Sequence, residues 1–268
     1  MPELPEVETI VRRMRPEIVG ETITGANLRW ERTLATPKPG LFKKNIIGQK
    51  VEAVNRRAKY IVVQLNVDSL LIHLRMSGDI LFRPIDTPAE KHDRLLLELS
   101  NKKTLAFNDM RKFGRVWLTP TPEDILGKLG PEPLDDTFTP NHLFEIITAH
   151  KRQIKPLLLD QHVVAGLGNI YTDEALHFAG LHPLTKSDLI KREQTERLWR
   201  GIRKVLNEGI ERNGTSIDWI YRGGEYQNYL HVYGRTDEPC LQCGTPIQKI
   251  TVGQRGTHFC PKCQKVEL

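Results

Sequence analysis

The spacing of apolar positions divides the chain into a short helical start, a region of strands and a longer helical region. The first apolar stripe predicts a helix that stops near Gly20, and it comprises Val7, Ile10, Val11, Met14 and Ile18. The next hundred residues contain short apolar runs between turn-forming residues, a pattern typical of an antiparallel β-sandwich or barrel and not of βαβ units. The clearest of these runs are Tyr60–Leu65, Leu70–Leu74, Leu95–Leu99 and Val116–Leu118.

The second half of the chain predicts a different class of structure. A Pro- and Asp-rich segment near residues 131–140 reads as a linker. The apolar stripes beyond it predict four helices, His142–His150, Ile154–Asp160, Asn169–Ala179 and Ser187–Gly209. We therefore predict a multidomain α+β fold in four parts: a β-sandwich with a leading helix over residues 1–130, a linker over 131–140, a helical domain over 141–234 and a small metal module over 235–268.

Composition and charge narrow the possible functions. The 268 residues are 39% hydrophobic and carry a net charge of +6, so the chain can bury a core and favours a polyanionic partner. Many basic proteins bind no nucleic acid, so charge alone leaves that question open. No apolar run approaches the ~20 residues that span a bilayer. The acidic, Pro-punctuated start does not resemble a signal peptide, and we expect a cytoplasmic protein without a membrane partner.

The four cysteines predict a metal site. Cys240 and Cys243 form one Cys-x2-Cys pair and Cys260 and Cys263 another, a spacing that suits one structural Zn²⁺ held by four thiolates. Two redox pairs or two disulfides are the alternatives, but this Gly- and Pro-containing tail lacks the strand-to-helix junction of a redox motif. Arg255, between the pairs, is expected at a hairpin tip where it reaches a phosphate, unless it is only a solvated turn residue.

Pro2 is a candidate nucleophile. Removal of Met1 leaves a free secondary amine, and α-amino groups are more often neutral near pH 7 than lysine side chains are. Attack on a sugar C1′ gives a cationic iminium that acidifies C2′ and permits elimination of the 3′-phosphate. Glu3 could move protons beside it, although acidic residues also favour helix starts and a second-position proline is usually only a terminal residue.

Sequence blocks along the whole chain resemble the formamidopyrimidine-DNA glycosylases. The likeness starts at Pro2-Glu3-Leu4-Pro5-Glu6 and ends in the cysteine module at Gln254-Arg255-Gly256-Thr257. Between them lie similar blocks at residues 56–60, 73–78, 91–93, 111–114, 130–133, 154–156 and 166–171. The resemblance implies that the helical domain is a DNA-binding helix–two-turn–helix and that the tail is a β-hairpin zinc finger.

The resemblance also implies roles for individual residues. Pro2 would form a Schiff base with the sugar, Glu3 would be the acid/base, Lys59 would assist β-elimination and Arg255 would assist δ-elimination. The implied backbone-phosphate contacts are His73, His92, Lys151, Lys155 and Asn169. Met76, Arg111 and Phe113 would fill the void left by a flipped-out base, although Met76 and Phe113 could be ordinary core residues. Ser216–Gln227 falls where many family members have a loop that caps the extruded lesion, and here it is shorter and more aromatic.

The leading prediction is therefore a monomeric repair enzyme that acts on double-stranded DNA carrying oxidised bases or abasic sites. It would remove oxidised purines such as 8-oxoguanine and formamidopyrimidines and then nick the abasic site by β,δ-elimination. Two alternatives remain, an endonuclease VIII-like glycosylase for oxidised pyrimidines and a non-catalytic zinc-ribbon DNA-binding protein. Leu4 and Val7 argue against the first, and the pairing of Pro2 with Glu3 argues against the second.

Overall fold

A computed structural model describes residues 1–216 and 223–265. The chain forms two compact units, one made mainly of Met1–Lys128 and the other of Leu129–Thr215 with the chain from Glu225 onward. Within the described residues, no helix has both the length and the apolar character needed to cross a membrane. Half of the Ser216–Gln227 stretch, residues 217–222, lies outside the described part of the chain.

The first unit places a helix in front of two β-sheets, as the apolar pattern predicts. Its helices are α1 (Leu4–Ile18), α2 (Pro39–Ile46) and α3 (Glu123–Leu126). Its strands are β1 (Ile23–Leu28), β2 (Leu34–Thr36), β3 (Val51–Arg57), β4 (Tyr60–Leu65), β5 (Ser69–His73), β6 (Gly78–Pro84), β7 (Asp93–Leu99), β8 (Lys103–Asp109) and β9 (Arg115–Thr119).

The strands form one four-stranded and one five-stranded sheet, in the orders β1-β7-β8-β6 and β2-β9-β5-β4-β3. Every described pair in these sheets is antiparallel except β2 with β9, which is parallel and which the apolar pattern did not predict. Buried apolar side chains of α1, such as Ile10 and Met14, form one core with side chains of both sheets, such as Ile72 and Phe107. Burial of this shared apolar surface is the main force that holds the layers together. The predicted α+β class is confirmed.

The second unit is helical and ends in a β-hairpin. It contains α4 (Pro140–Thr148), α5 (Ile154–Leu159), α6 (Asn169–Ala179), α7 (Arg192–Glu211), β10 (Gln248–Val252) and β11 (Arg255–Phe259). Helix α6 has the predicted bounds, but α7 starts five residues later than predicted. Ser187–Leu189 forms a separate 3-10 turn, and the backbone N–H of Lys191 donates to the side chain of Gln194 at the true helix start.

The segment predicted as a linker packs against α7. Phe138 is fully buried, and its carbonyl accepts a hydrogen bond from the indole N–H of Trp199. Arg203 donates to the carbonyls of Pro133 and Asp135 at 3.2 and 2.9 Å. These residues therefore belong to the second unit, and the four-part division of the chain stays a prediction.

Candidate catalytic, DNA-binding and metal sites

The candidate nucleophile lies at the start of α1. Pro2 is buried, and Glu3 beside it has only 2% of its surface exposed. The backbone N–H of Glu3 donates to Glu6 Oε2 at 2.8 Å, which ties the first helical turn to the residues that precede it. Pro2 and Glu3 therefore lie directly before the positive end of the dipole of α1.

A partly buried ion pair links α1 to the turn that carries Lys59. Arg56 Nε donates to Glu8 Oε2 at 3.1 Å, and its Nη1 donates to the carbonyl of Ala58 at 3.2 Å. Burial alone would raise the pKa of Glu8, but the charges and hydrogen bonds of Arg56 and Arg12 hold this pKa below its ordinary value. Lys59 follows Ala58 in the two-residue β3–β4 turn and is 5% exposed.

Glu8 and Arg56 were given no role by the sequence. One feature of the sequence could have indicated them: Glu8 lies one helical turn from Leu4 and from Val11, beside the apolar stripe of α1. A carboxylate beside that stripe needs a buried cation, and the strand that packs against the helix ends in arginines.

His73, an expected phosphate contact, is buried at the end of β5. Its Nδ1 accepts a hydrogen bond from the backbone N–H of Arg75 at 3.0 Å, and its ring meets Tyr60 edge-on at 4.7 Å. Burial, followed by the charges of Arg75 and Lys59, lowers the pKa of His73 from 6.5 to about 3. The imidazole is therefore neutral at pH 7, so the expected phosphate contact of His73 would be a hydrogen bond without a charge.

The three expected void-filling residues lie on two neighbouring turns and are not core residues. Met76 is half-buried in the turn between β5 and β6, whereas Arg111 and Phe113 are exposed in the turn between β8 and β9. Phe113 has 51% of its surface exposed, and the Arg111 guanidinium lies 5.2 Å from the centre of its ring. Because β5 pairs with β9 and β6 with β8, the two turns leave the sheets side by side.

His92 belongs to the same end of the sheets. Its carbonyl accepts the backbone N–H of Asp109 at 2.9 Å, and its Nδ1 lies 3.3 Å from Arg94 Nη2. The first unit thus brings His92 close to the turn of Arg111.

In the second unit, Lys155 holds the hairpin and has no surface exposed. Its Nζ lies 2.6 Å from Asp173 Oδ1 and donates to Thr257 Oγ1 at 2.7 Å and to the carbonyl of Gly256 at 3.2 Å. Asn169 Nδ2 donates to the same carbonyl at 2.9 Å. This geometry corrects the expected direct phosphate contact of Lys155, because an ammonium with 0% exposure has no free face for a phosphate.

Arg255 and Lys151 are exposed, as phosphate contacts require. Arg255 opens β11 directly after a two-residue turn, Gly253-Gln254, in which both residues have positive φ angles, 55° and 63°. Such turns match the twist of a hairpin and hold the flanking residues rigidly. Lys155 and Asn169 fix the next residue, so the guanidinium of Arg255 projects from a braced hairpin end.

The four cysteines form the metal centre. Their sulfur atoms all lie within 4.8 Å of one another, with Cys240 and Cys263 at 4.0 Å and Cys243 and Cys260 at 3.5 Å. A tetrahedral Zn²⁺ with bonds of about 2.3 Å needs sulfur separations of roughly 3.8 Å. Burial and the neighbouring thiols raise the pKa of Cys263, a cost that a divalent cation at the centre of the cluster would offset. The site therefore fits one structural zinc, with no ligand position left for catalysis.

Comparison with protein families matches almost the whole chain. Residues 1–116 match the formamidopyrimidine-DNA glycosylase N-terminal domain, and residues 129–220 match the H2TH domain of the same enzyme. Residues 237–266 match a zinc finger found in FPG and IleRS. The order of the three matches is the order of the predicted sandwich, helical domain and zinc finger.

Individual relatives agree along their full length. The formamidopyrimidine-DNA glycosylases of Chloroflexus aurantiacus and Herpetosiphon aurantiacus are 46% and 42% identical, each over 98% of this chain and 98% and 100% of their own. The structure of MutM in complex with DNA containing carbocyclic 8-oxo-G has a TM-score of 0.92 at 39% identity, over 98% of this chain and all of that one. Lactococcus lactis Fpg bound to DNA with an abasic site has a TM-score of 0.91 at 38% identity, with the same coverage. The chain belongs to the formamidopyrimidine-DNA glycosylase family.

Proposed function

We propose that this chain is a bifunctional repair enzyme that excises oxidised purines, such as 8-oxoguanine and formamidopyrimidines, from duplex DNA and then cuts the abasic site. The observation that carries the proposal is the placement of Pro2 and the buried Glu3 at the positive end of α1, in a chain that matches the glycosylase family from end to end. We further propose that it acts as a monomer in the bacterial cytoplasm.

The chemistry follows from a secondary amine. Pro2 attacks C1′ while Glu3 supplies the proton that the departing base requires, so the C–N bond to the base breaks as the bond to proline forms. The amine gives up its N–H proton on attack, and the C1′–O4′ bond then breaks as O4′ takes a proton, which opens the sugar ring. The iminium formed in this way has no N–H proton to lose and stays cationic, which acidifies C2′. Lys59 supports loss of the 3′-phosphate, and Arg255 supports loss of the 5′-phosphate.

Polar and basic residues of each unit hold the duplex, and of these Lys151 and Arg255 are exposed. His73, His92, Lys151, Asn169 and Arg255 contact backbone phosphates and fix the register without reading sequence. Met76, Arg111 and Phe113 enter the space that the extruded base leaves. Two partly exposed apolar side chains with one guanidinium fit that task, since the void is both apolar and lined by an orphaned base edge.

Borohydride trapping tests the proposal. The native chain, with Met1 removed, should be trapped on duplexes that carry 8-oxoguanine, and peptide mapping should place the sugar on the peptide that begins with Pro2. A chain that retains Met1, or carries an N-terminal tag, should keep its fold and zinc yet fail to trap. Lys59→Ala is the matched control, because it should slow turnover and still permit trapping.

Two results would overturn the proposal. An adduct on any lysine, or normal trapping by the blocked N-terminus, would remove Pro2 from the mechanism. Faster trapping on duplexes with oxidised pyrimidines than on those with 8-oxoguanine would favour the endonuclease VIII-like alternative over the purine specificity.

A further inference from the structure

The two turns that carry Met76, Arg111 and Phe113 are joined by a buried carboxylate. Asp109, the last residue of β8, has 0% of its surface exposed. The hydroxyl of Ser77, which directly follows Met76, donates to Asp109 Oδ1. The same carboxylate oxygen accepts the backbone N–H of Arg111 at 3.2 Å, and Oδ2 accepts that of Gly114 at 2.7 Å.

Ser77 completes the connection from the other side. Its hydroxyl oxygen accepts the backbone N–H of Arg111 at 2.9 Å while its proton is given to Asp109. Gly114 allows the close approach, because a Cβ there would lie 2.3 Å from the Phe107 ring and 3.1 Å from Asp109 Oδ2. Both ends of the Met110–Gly114 turn are therefore bonded to one carboxylate, and that carboxylate is bonded to the neighbouring turn.

The backbone of Asp109 extends the same network. Its N–H donates to the carbonyl of His92, and its carbonyl accepts Arg94 Nε at 2.7 Å. A buried carboxylate with this many donors rigidifies its surroundings, since any displacement leaves a charged oxygen or an N–H without a partner.

We propose that Ser77 and Asp109 form a clasp that sets the position of Arg111 and Phe113 relative to Met76, and so makes the chain sensitive to the base opposite the lesion. Ser77 and Asp109 are 6% and 0% exposed and act through Arg111, so they are positioning residues. The proposal rests on the proposed function only for the role of the void-filling residues, and it concerns binding and not excision.

The reason for a clasp lies in the geometry of base readout. A guanidinium distinguishes bases only when its donors meet the acceptor atoms of one base edge, which requires a fixed backbone. Arg111 is exposed and lies on a five-residue turn, where side chains are otherwise mobile. The backbone N–H of Arg111 donates to both Ser77 Oγ and Asp109 Oδ1, and these hydrogen bonds restrict the motion of the backbone that carries the guanidinium.

The test measures binding to duplexes with a tetrahydrofuran abasic analogue placed opposite each of the four bases. Ser77→Ala should reduce the ratio between the tightest and weakest opposite bases at least about fivefold, the lower limit of what one bidentate contact provides. Asp109→Asn should do the same, because one amide N–H then faces a backbone N–H. Hydrogen exchange at the Arg111 amide should become faster in both variants.

Ser100→Ala is the matched control. The Ser100 hydroxyl also accepts a backbone N–H, that of Thr22, and donates to a carboxylate, that of Glu21, but it lies at the opposite end of β7. We expect its opposite-base ratio to equal that of the unchanged chain, and trapping on a single-stranded abasic site to be unchanged in Ser77→Ala.

Several results would overturn the clasp. These are a folded Ser77→Ala that keeps the full opposite-base ratio, equal weakening of all four duplexes, or an unchanged chain that shows no opposite-base preference. A chain that prefers certain opposite bases in binding yet excises no lesion would contradict the proposed function and leave the clasp standing.

Discussion

Replacement of Lys155 by Met separates two roles that one lysine could have, a structural one and a phosphate contact. Methionine keeps most of the length of the side chain and removes the ammonium. The Asp173 carboxylate then stays buried, with the backbone N–H of His258 at 2.9 Å and His258 Nδ1 at 3.5 Å from its Oδ2. The Thr257 hydroxyl and the Gly256 carbonyl each lose a bond of 2.7 and 3.2 Å.

The size of the effect follows from burial. Removing one partner of a buried ion pair typically costs about 3–5 kcal/mol of unfolding free energy. For a unit of this size that corresponds to a decrease in melting temperature of roughly 10 °C or more. Asp173→Asn should cost a similar amount, and the double variant should lose less than the sum of the two, because neither buried charge is then left alone.

Thermal and urea unfolding measure the loss, with Lys204→Met as the matched control. Lys204 pairs with Glu208 at 3.5 Å, but both side chains are exposed, so its loss should cost at most about 0.5 kcal/mol. The salt dependence of duplex binding supplies the second measurement. A direct phosphate contact would reduce the slope by about one when removed. A Lys155→Met variant with unchanged unfolding and a slope reduced by that amount would refute the structural role.

Three further predictions address the pH dependence and the metal centre. His73 has a pKa of about 3 in the folded chain against 6.5 ordinarily, so between these pH values the unfolded chain binds a proton that the folded chain does not. The free energy of unfolding should therefore decrease as the pH falls from about 6.5 toward 3. His73→Asn should flatten this pH dependence, as measured by urea titrations at several pH values. A slope that His73→Asn leaves unchanged would contradict this assignment. Cys260→Ser should lose zinc by elemental analysis and weaken DNA binding while the β-sheet unit stays folded, whereas metal-free native protein would exclude the site. His177 Nε2 lies 3.6 Å from Cys240 Sγ. We expect the His177→Phe variant to release zinc faster than the native chain does, measured with a chelator in the presence of a thiol reagent. The ring of His231 lies 5.8 Å from that of His177, and the His231→Phe variant should release zinc at the native rate.

Local patterns in the sequence were sufficient for the features that depend on neighbouring residues. The bounds of Tyr60–Leu65 follow from its apolar alternation, because one face of the strand is buried, and the apolar pattern also predicted the bounds of Asn169–Ala179. The zinc site follows from two Cys-x2-Cys pairs, since each pair bends the chain around one metal ion. The roles of Pro2 and Glu3 came from resemblance, and the structure adds their place at a helix start.

The tertiary structure decided whatever depends on residues distant in sequence. Lys155 reads as a basic residue near other DNA-binding candidates, but Asp173 and Thr257 surround its ammonium and remove it from the surface. An apolar residue such as Phe113 could have belonged to the core. Its ring is exposed because it lies in the turn that connects β8 of one sheet to β9 of the other. The sequence also did not predict the parallel pairing of β2 with β9, because the strand that β2 pairs with, and the direction of that pairing, depend on the rest of the sheet.

Ser77 and Asp109 show the same limit most clearly. Ser77 lies in a turn and Asp109 ends a strand directly before one, where the sequence indicates only a change of direction. They are 32 positions apart, and their hydrogen bond exists because β6 and β8 end side by side. Apolar period specifies which face of an element is buried, but it carries no information on which distant polar group will meet it there. That partner is determined only when the strands have paired and burial makes an unsatisfied carboxylate too costly to keep.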